Sequence, residues 1–402
     1  MNYKESTKLT YSKVAERINA QDSGNWNEKV KKVSVVLTAS RTGSSLMKTV
    51  LSMSNDVAYL SGEEEPYYII TENAFPFNSD SDSFKTIKNK QAVLDLMYQD
   101  LGVNTDDIDT DKITKDWQQR LLLQFPLMGD ETYKMIPILV KNCYSTNNYE
   151  EGTNAFLKAL LGRKSGYYDF FNDGKFDFVE DIKIEEPPFV VPGQKRALTE
   201  DDYEDKVFVF KTPQDCYRIG IFEQLFPNAE IKYIHLTRGF AQTVNGLMDG
   251  WMSDTGFFAH NMDIVDTELK IKDYTDRKRF GNKWWKFDLP PNWRETTDKS
   301  LAEVCLNQWM QAHTHILDSG VDKMQIKFEN FLLSPQYITK EITDYLGINP
   351  IEFTQLPMVM TTEKPANFRW HKRKDEIMNL ISDDVENLMN NLNYSMSPDT
   401  WI

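Results

Sequence analysis

The strongest constraint on the fold is a set of short apolar runs separated by longer stretches of helical character. Val33-Ser34-Val35-Val36-Leu37 is rich in β-branched residues and too short for a helix. Continuous apolar runs of this length suit strands covered on both faces, as in parallel sheets. Residues 207–210, 231–236 and 324–328 have the same character, and 57–60 is a weaker candidate. Helical stretches such as 219–225 and 301–317 lie between them. Strands alternating with helices predict an α/β fold with a central parallel sheet flanked by helices.

Residues 1–30 read as a polar helical lead-in. Residues 31–402 read as a single domain carrying an insertion over about 78–205, where the strand signal fades. Within it, 85–102 and 113–124 have helical character, and 163–206 is aromatic, acidic and broken by Pro187-Pro188 and Pro192-Gly193. The acidic run from Asp106 to Asp111 lacks the Gly and terminal Glu of a calcium loop and reads as a solvated turn.

Charge narrows the functions further. With 46 Lys+Arg against 61 Asp+Glu, the formal net charge is −15. That balance excludes broad nucleic-acid binding, which needs clustered cations, and disfavours sulfated or phosphorylated polymers. A small anion still fits where a few cations converge in a cleft. Cys143, Cys216 and Cys305 are odd in number with no CxxC, which suits reduced thiols and a cytoplasmic setting. No apolar run approaches the roughly 18 residues of a membrane span. Residues 1–25 lack the apolar stretch of a signal peptide.

The first strand breaks at Ser40-Arg41-Thr42-Gly43-Ser44-Ser45, after which helical character resumes. Backbone N–H groups at a helix N-terminus have no partner within the helix, and with the helix dipole they make an anion site. Gly43 allows close approach, Ser44 and Ser45 add hydroxyls, and Arg41 supplies a planar fork suited to phosphate or sulfate. The GxxxxGK[ST] spacing of a Walker loop is absent. An ordinary capped strand–helix turn accounts for the same residues.

Four other segments agree with an anion site. Ser61-Gly62-Glu63-Glu64-Glu65-Pro66 puts carboxylates beside the loop, at the sheet edge where α/β proteins bind ligands. A solvated acidic turn is the alternative. The strand over 207–210 ends in Lys211-Thr212-Pro213, and the next ends in Thr237-Arg238-Gly239, followed by Thr243 and Asn245. Near the C-terminus lies Arg369-Trp370-His371-Lys372-Arg373, where a Trp among cations suits base stacking with phosphate contacts, or else a helix start with a solvated basic face. Together Arg41, Lys211 and Arg238 share one sheet edge, which describes a nucleotide with phosphates at both ends.

These residues resemble the sulfotransferase family, which uses 3′-phosphoadenosine 5′-phosphosulfate (PAPS) and shares a P-loop-like α/β fold. The family's 5′-phosphosulfate loop is similar to 40–46. An Arg at position 41, the Gly62-Glu63-Glu64 motif, Lys211 before a Thr-Pro, and Leu225-Phe226-Pro227-Asn228-Ala229 are closest to the tyrosylprotein-sulfotransferase-like branch. The family's 3′-phosphate motif is matched at Arg238. Its Ser eight residues on is Gly246 here, with Thr243 or Asn245 as substitute donors. Phe328-Glu329-Asn330-Phe331, Pro335 and Tyr345-Leu346-Gly347 resemble the family's C-terminal half, where 369–373 closes over the nucleotide. The likeness spans roughly 31–75 and 205–380.

The resemblance implies sulfuryl transfer from PAPS to a hydroxyl or amine, giving 3′,5′-adenosine bisphosphate, with no metal. Glu64 corresponds to the general base, with Glu63 and Glu65 as neighbours able to take the role or touch substrate, and His260 in reserve. Arg41 and Lys211 would meet the charge on the leaving group. Thr42, Gly43, Ser44, Ser45, Arg238, Thr243, Asn245, Arg369, Trp370 and Lys372 would hold the nucleotide. Trp284, Trp285 and Trp293 sit in a Pro-broken segment and are expected to wall an acceptor pocket or form a lid, with core packing under a loop as the alternative. The acidic surface favours a small acceptor, neutral or cationic. A P-loop-type nucleotide kinase and a non-catalytic nucleotide-binding protein are the competing classes.

Overall fold

A computed structural model describes residues 2–146, 148–161, 182–186, 190–265, 267–360 and 366–402. Five strands run parallel in the order β2 (Val57–Tyr59), β5 (Val207–Phe210), β1 (Lys32–Thr38), β6 (Glu230–Thr237) and β9 (Lys323–Lys327). All five were anticipated from the apolar runs. Beyond β2, two short strands extend the sheet antiparallel: β3 (Gly102–Asn104) and β4 (Lys195–Arg196). They were not anticipated. A separate antiparallel pair joins β7 (Phe258–Asn261) to β8 (Trp284–Lys286).

The continuous apolar runs are explained by burial on both faces. Successive strand residues point to opposite sides. Val33, Val35 and Leu37 pack with Phe208, Phe210 and Tyr233 in the larger core. Val36 packs with Val207, Val209, Ile234 and Leu236 in the other, covered by Met47, Val50 and Leu51 of the helix Ser44–Leu51 and by Ile338 and Ile342 of Pro335–Leu346. The fold is thus α/β, with a mostly parallel sheet flanked by helices.

Residues 1–30 contain the helix Tyr3–Ile18, opened by a capping box between Asn2 and Glu5. Its Tyr11, Val14 and Ile18 are buried in the larger core, and the Tyr11 hydroxyl donates to the Lys183 carbonyl at 2.8 Å. Among the described residues of 78–205 lie four helices of eleven residues or more, namely Lys90–Asp100, Thr110–Gln124, Asp130–Cys143 and Tyr149–Leu161. Pro187-Pro188 lies outside the described residues. Among the described residues, no helix is long and apolar enough to cross a membrane.

Behind the end of β2, this region builds a buried ionic network. Asp100, Asp116 and Glu185 face Lys112, Arg120 and Lys195, three charges of each sign. Arg120 also donates to the Tyr67 hydroxyl, and Lys195 to Ser61 Oγ at 2.7 Å. A Cβ at Gly62 would overlap the Arg120 guanidinium, so only glycine lets the turn seat against the network.

Candidate functional site

Because the five strands are parallel, their C-terminal ends share one edge, and the loop after β1 lies at its centre. Arg41 has φ +65° and Gly43 φ +103°, which curl the chain so that the helix Ser44–Leu51 starts at once. Among the described residues, the N–H groups of Thr42, Gly43, Ser44 and Ser45 meet no protein acceptor. The Thr42 hydroxyl is fully buried and has no hydrogen-bond partner. Ser40, at the loop's start, donates to Asp288 at 2.5 Å. Adjacent unpaired donors on a helix N-terminus form a cradle for an anionic oxygen group.

Lys211 extends from the end of β5 to Ser45 Oγ at 3.3 Å and is ion-paired with Glu63. Thr212 donates to the other Glu63 oxygen at 2.9 Å. Burial alone would raise the Glu63 pKa, but Lys211, Thr212 and Lys48 together bring it below the usual carboxylate value. Lys48, one turn into the helix after the loop, donates to the Gly62 carbonyl. Burial, then Lys211 close by, lower its pKa to about 8. Sequence reasoning missed Lys48; its signal was the position four residues after Ser44, on the same helix face.

The three glutamates at the end of β2 have three different environments. Glu63 pairs with Lys211. Glu65 pairs with Arg218 at 2.5 Å, yet burial still raises its pKa to about 7. Glu64 is fully buried, its carboxyl set against that of Asp215 and its own backbone N–H, with no cation at hydrogen-bond distance. Burial first, and then Asp215 beside it, push its pKa well above the usual carboxylate range. His260 lies 3.3 Å from Asp82 with its ring edge on Phe75, a buried pair remote in sequence from the loop.

The arginines expected at the nucleotide converge. Arg238 donates to the Arg41 carbonyl at 3.3 Å and lies over the Phe328 ring at 5.2 Å. Arg41 donates to the Met360 carbonyl at 3.0 Å and lies over Phe257 at 4.9 Å. Burial, Arg238 and Arg369 lower the Arg41 pKa to about 10, against the pull of Asp249. The basic segment folds back on the helix Phe240–Trp251, where Asp249 accepts from Arg369 at 2.9 Å, Lys372 at 2.8 Å and Arg373 at 2.8 Å.

Several expectations need correction. Thr243 and Asn245 are buried and committed inside the protein: Thr243 donates to the Gly239 carbonyl at 3.1 Å, and Asn245 Oδ1 accepts from Arg373 at 2.5 Å. Trp370 stacks on no surface; it is buried, packs on Trp401 and donates to the Trp401 carbonyl at 2.8 Å. Trp284, Trp285 and Trp293 are core residues and not a lid. Each is at most 2% exposed; Trp285 donates to the Asp288 carbonyl at 2.9 Å and Trp293 to the Asp80 carbonyl at 2.8 Å. A buried indole needs a partner for its N–H, and here backbone carbonyls supply it.

Among the described residues, no group of three or more His, Cys, Asp or Glu is arranged to hold a metal ion. No protein-family model and no curated protein matches the chain. Solved structures it resembles include the sulfotransferase domain from the curacin biosynthetic pathway, 12% identical over 91% of this chain and 99% of that one, with a TM-score of 0.40. The sulfotransferase domain from the Synechococcus PCC 7002 olefin synthase is 14% identical over 91% and 96%, with a TM-score of 0.36. A sulfotransferase from Alicyclobacillus acidocaldarius is 12% identical over 92% and 98%, with a TM-score of 0.35. Likeness this slight does not carry an activity or a residue's role across.

Proposed function

We propose that this chain is a sulfotransferase of the tyrosylprotein-sulfotransferase-like branch. It moves the sulfuryl group of PAPS to a hydroxyl or amine of a small acceptor, in a cytoplasmic setting. Residues 31–402 act as one domain with 1–30 as its lead-in. The observation that carries the reading is the cradle at Thr42–Ser45, with its buried unpaired Thr42 hydroxyl, flanked by Lys211 on one side and the Arg41–Arg238 cluster on the other. That set offers donors for a 5′-phosphosulfate and cations for a second phosphate.

Glu64 is the base that this reading favours. Glu63 is held in a low-affinity proton state by Lys211, and Glu65 is paired with Arg218. Glu64 has no cationic partner at hydrogen-bond distance and a raised proton affinity, nearer to what a base needs at neutral pH. It takes the acceptor's proton as the acceptor oxygen bonds to sulfur. Lys211 and Arg41 meet the charge left on the phosphate oxygen when its bond to sulfur breaks and the electron pair departs with the bisphosphate. Positioning and electrostatics then supply most of the acceleration.

Calorimetric titration with 3′,5′-adenosine bisphosphate, with ATP and ADP as controls, tests the nucleotide. The bisphosphate alone is expected to bind, and Arg238→Ala is expected to weaken it at least about tenfold, the loss of one charge-assisted contact. Preference for ATP would overturn the reading in favour of a kinase. Gly246 offers a constructive test. A Cβ there would meet only Arg41, at 3.5 Å, an ordinary contact. Gly246→Ser is therefore expected to fold normally and to tighten bisphosphate binding by adding a hydroxyl beside Arg41. Unchanged affinity would separate position 246 from the phosphate.

A further inference from the structure

Next to Glu64 the protein buries far more acid than base. Glu64, Glu65, Asp82, Asp215 and Asp288 are all at most 7% exposed. They form one run. Arg218 Nε donates to Asp215 at 2.9 Å and its far end reaches Glu65 at 2.5 Å. Asp82 accepts from the Leu289 N–H at 2.6 Å and faces His260 at 3.3 Å. Asp288 accepts from Ser40 of the loop and, at 2.7 Å, from Tyr217. Among the described residues, Arg218 and His260 are the cationic or potentially cationic groups joined to these five by hydrogen bonds or ion pairs, so acids outnumber cations by three, and Glu64 and Asp288 have no cationic partner. The neighbouring network around Arg120 is balanced three against three, so imbalance is not a general habit of this interior.

The second observation is a set of polar atoms with nothing to bind. Asp82 Oδ1 has no hydrogen-bond partner, and the Glu64 carboxyl is set against that of Asp215, acid facing acid. The Tyr68 hydroxyl, fully buried against the Arg218 guanidinium and felt electrostatically by Asp215, Glu64 and Glu65, is also unpartnered. A buried acceptor without a donor is costly, and a buried charge more so. Acceptors set against one another in this way suit a ligand that brings several N–H groups.

We infer that this cluster recognises a positively charged nitrogen on the acceptor, so that the molecule sulfated is an amine- or guanidine-bearing alcohol or phenol. The inference rests on the sulfotransferase reading and narrows its acceptor. Glu64 stands where the two functions meet: its neighbour Glu63 contacts Lys211, which reaches Ser45 of the transfer loop, while its own carboxyl lies beside Asp215. The cation binds toward Asp215, Asp82 and Asp288, and the hydroxyl is left at Glu64.

Three phenols of matched size test this on the whole chain saturated with bisphosphate: tyramine (cationic), 4-ethylphenol (neutral) and 3-(4-hydroxyphenyl)propionate (anionic). Methylguanidinium, ethanolamine, Mg²⁺ and Ca²⁺ are added as further probes. Tyramine is expected to bind at least about tenfold tighter than 4-ethylphenol, with the anion weakest. Asp82→Asn, remote from the transfer loop in this run, is expected to shrink the tyramine advantage while bisphosphate affinity holds. Should a variant fail to fold, the ligand series on the natural chain decides alone. Equal binding of tyramine and 4-ethylphenol overturns the inference, as does a response to metal ions with none to the amines. Bisphosphate affinity is read in the same titrations, so its loss would fault the sulfotransferase reading separately.

Discussion

Glu64→Gln is expected to lower turnover at least about 10²-fold, the low end for removing a general base, while bisphosphate affinity stays within about twofold, since no contact to the cradle is lost. The substitution keeps the shape and removes the proton-accepting charge. It also carries a pH signature. Burial and Asp215 raise the proton affinity of Glu64, so at low pH the group holds its proton and cannot act. The active form emerges only as pH climbs through that raised value, above the ordinary carboxylate range. In the natural chain kcat/KM should therefore rise with pH there, with burial, Asp215 and Arg218 setting the midpoint. The rising limb should vanish in Glu64→Gln. A variant that keeps both its rate and its limb would move the role to Glu63 or His260.

Gly43→Ala should be the most damaging single methyl in the chain's loop. The residue sits at φ +103°, a region alanine adopts at a cost of about 1–2 kcal/mol. The new Cβ would also overlap the Phe328 ring, and overpacking costs about 1–3 kcal/mol more. Since Phe328 also carries Arg238 on its face, displacing the ring shifts a cation assigned to the nucleotide. Denaturant unfolding should show a loss of about 2–5 kcal/mol, and calorimetry no detectable bisphosphate binding. Gly220→Ala is the control: φ is −69° and nothing lies within 4 Å of the added carbon. Equal effects at 43 and 220 would mean the loop is far more pliable than its backbone implies.

What the sequence revealed, and what it hid, follows from how each residue is used. The five parallel strands were legible because burial on both faces demands unbroken apolar runs. β3 and β4 were not, since three- and two-residue strands at an edge, one of them Lys195-Arg196, carry no such signal. Arg41, Lys211 and Arg238 could be brought together from sequence alone because parallel strands deliver their ends to one edge. The tryptophans could not be placed, because an indole beside cations looks the same whether it stacks a base or fills a core. Its N–H partner decides, and for Trp293 and Trp370 that partner is the carbonyl of Asp80 or Trp401, far away in the chain. Asp82, Asp215 and Asp288 were invisible for the same reason: three scattered acids become one cluster only after folding.

The glycine turn at Gly62 rests on Arg120, and that bears on how small such a protein can be made. Arg120, Lys112 and Asp116 belong to a helix far from the transfer loop in sequence, yet they are the abutment for the segment that presents Glu63 and Glu64. Trimming that helix would take Arg120 from both Asp100 and Glu185 and leave Asp100 with Lys195, and breaking such a group apart costs about 3–5 kcal/mol per orphaned charge. The glutamates would lose their footing before the loop after β1 lost anything. Size here is thus part of the machinery, and a shorter protein with the same motifs must brace its acidic turn by some other means.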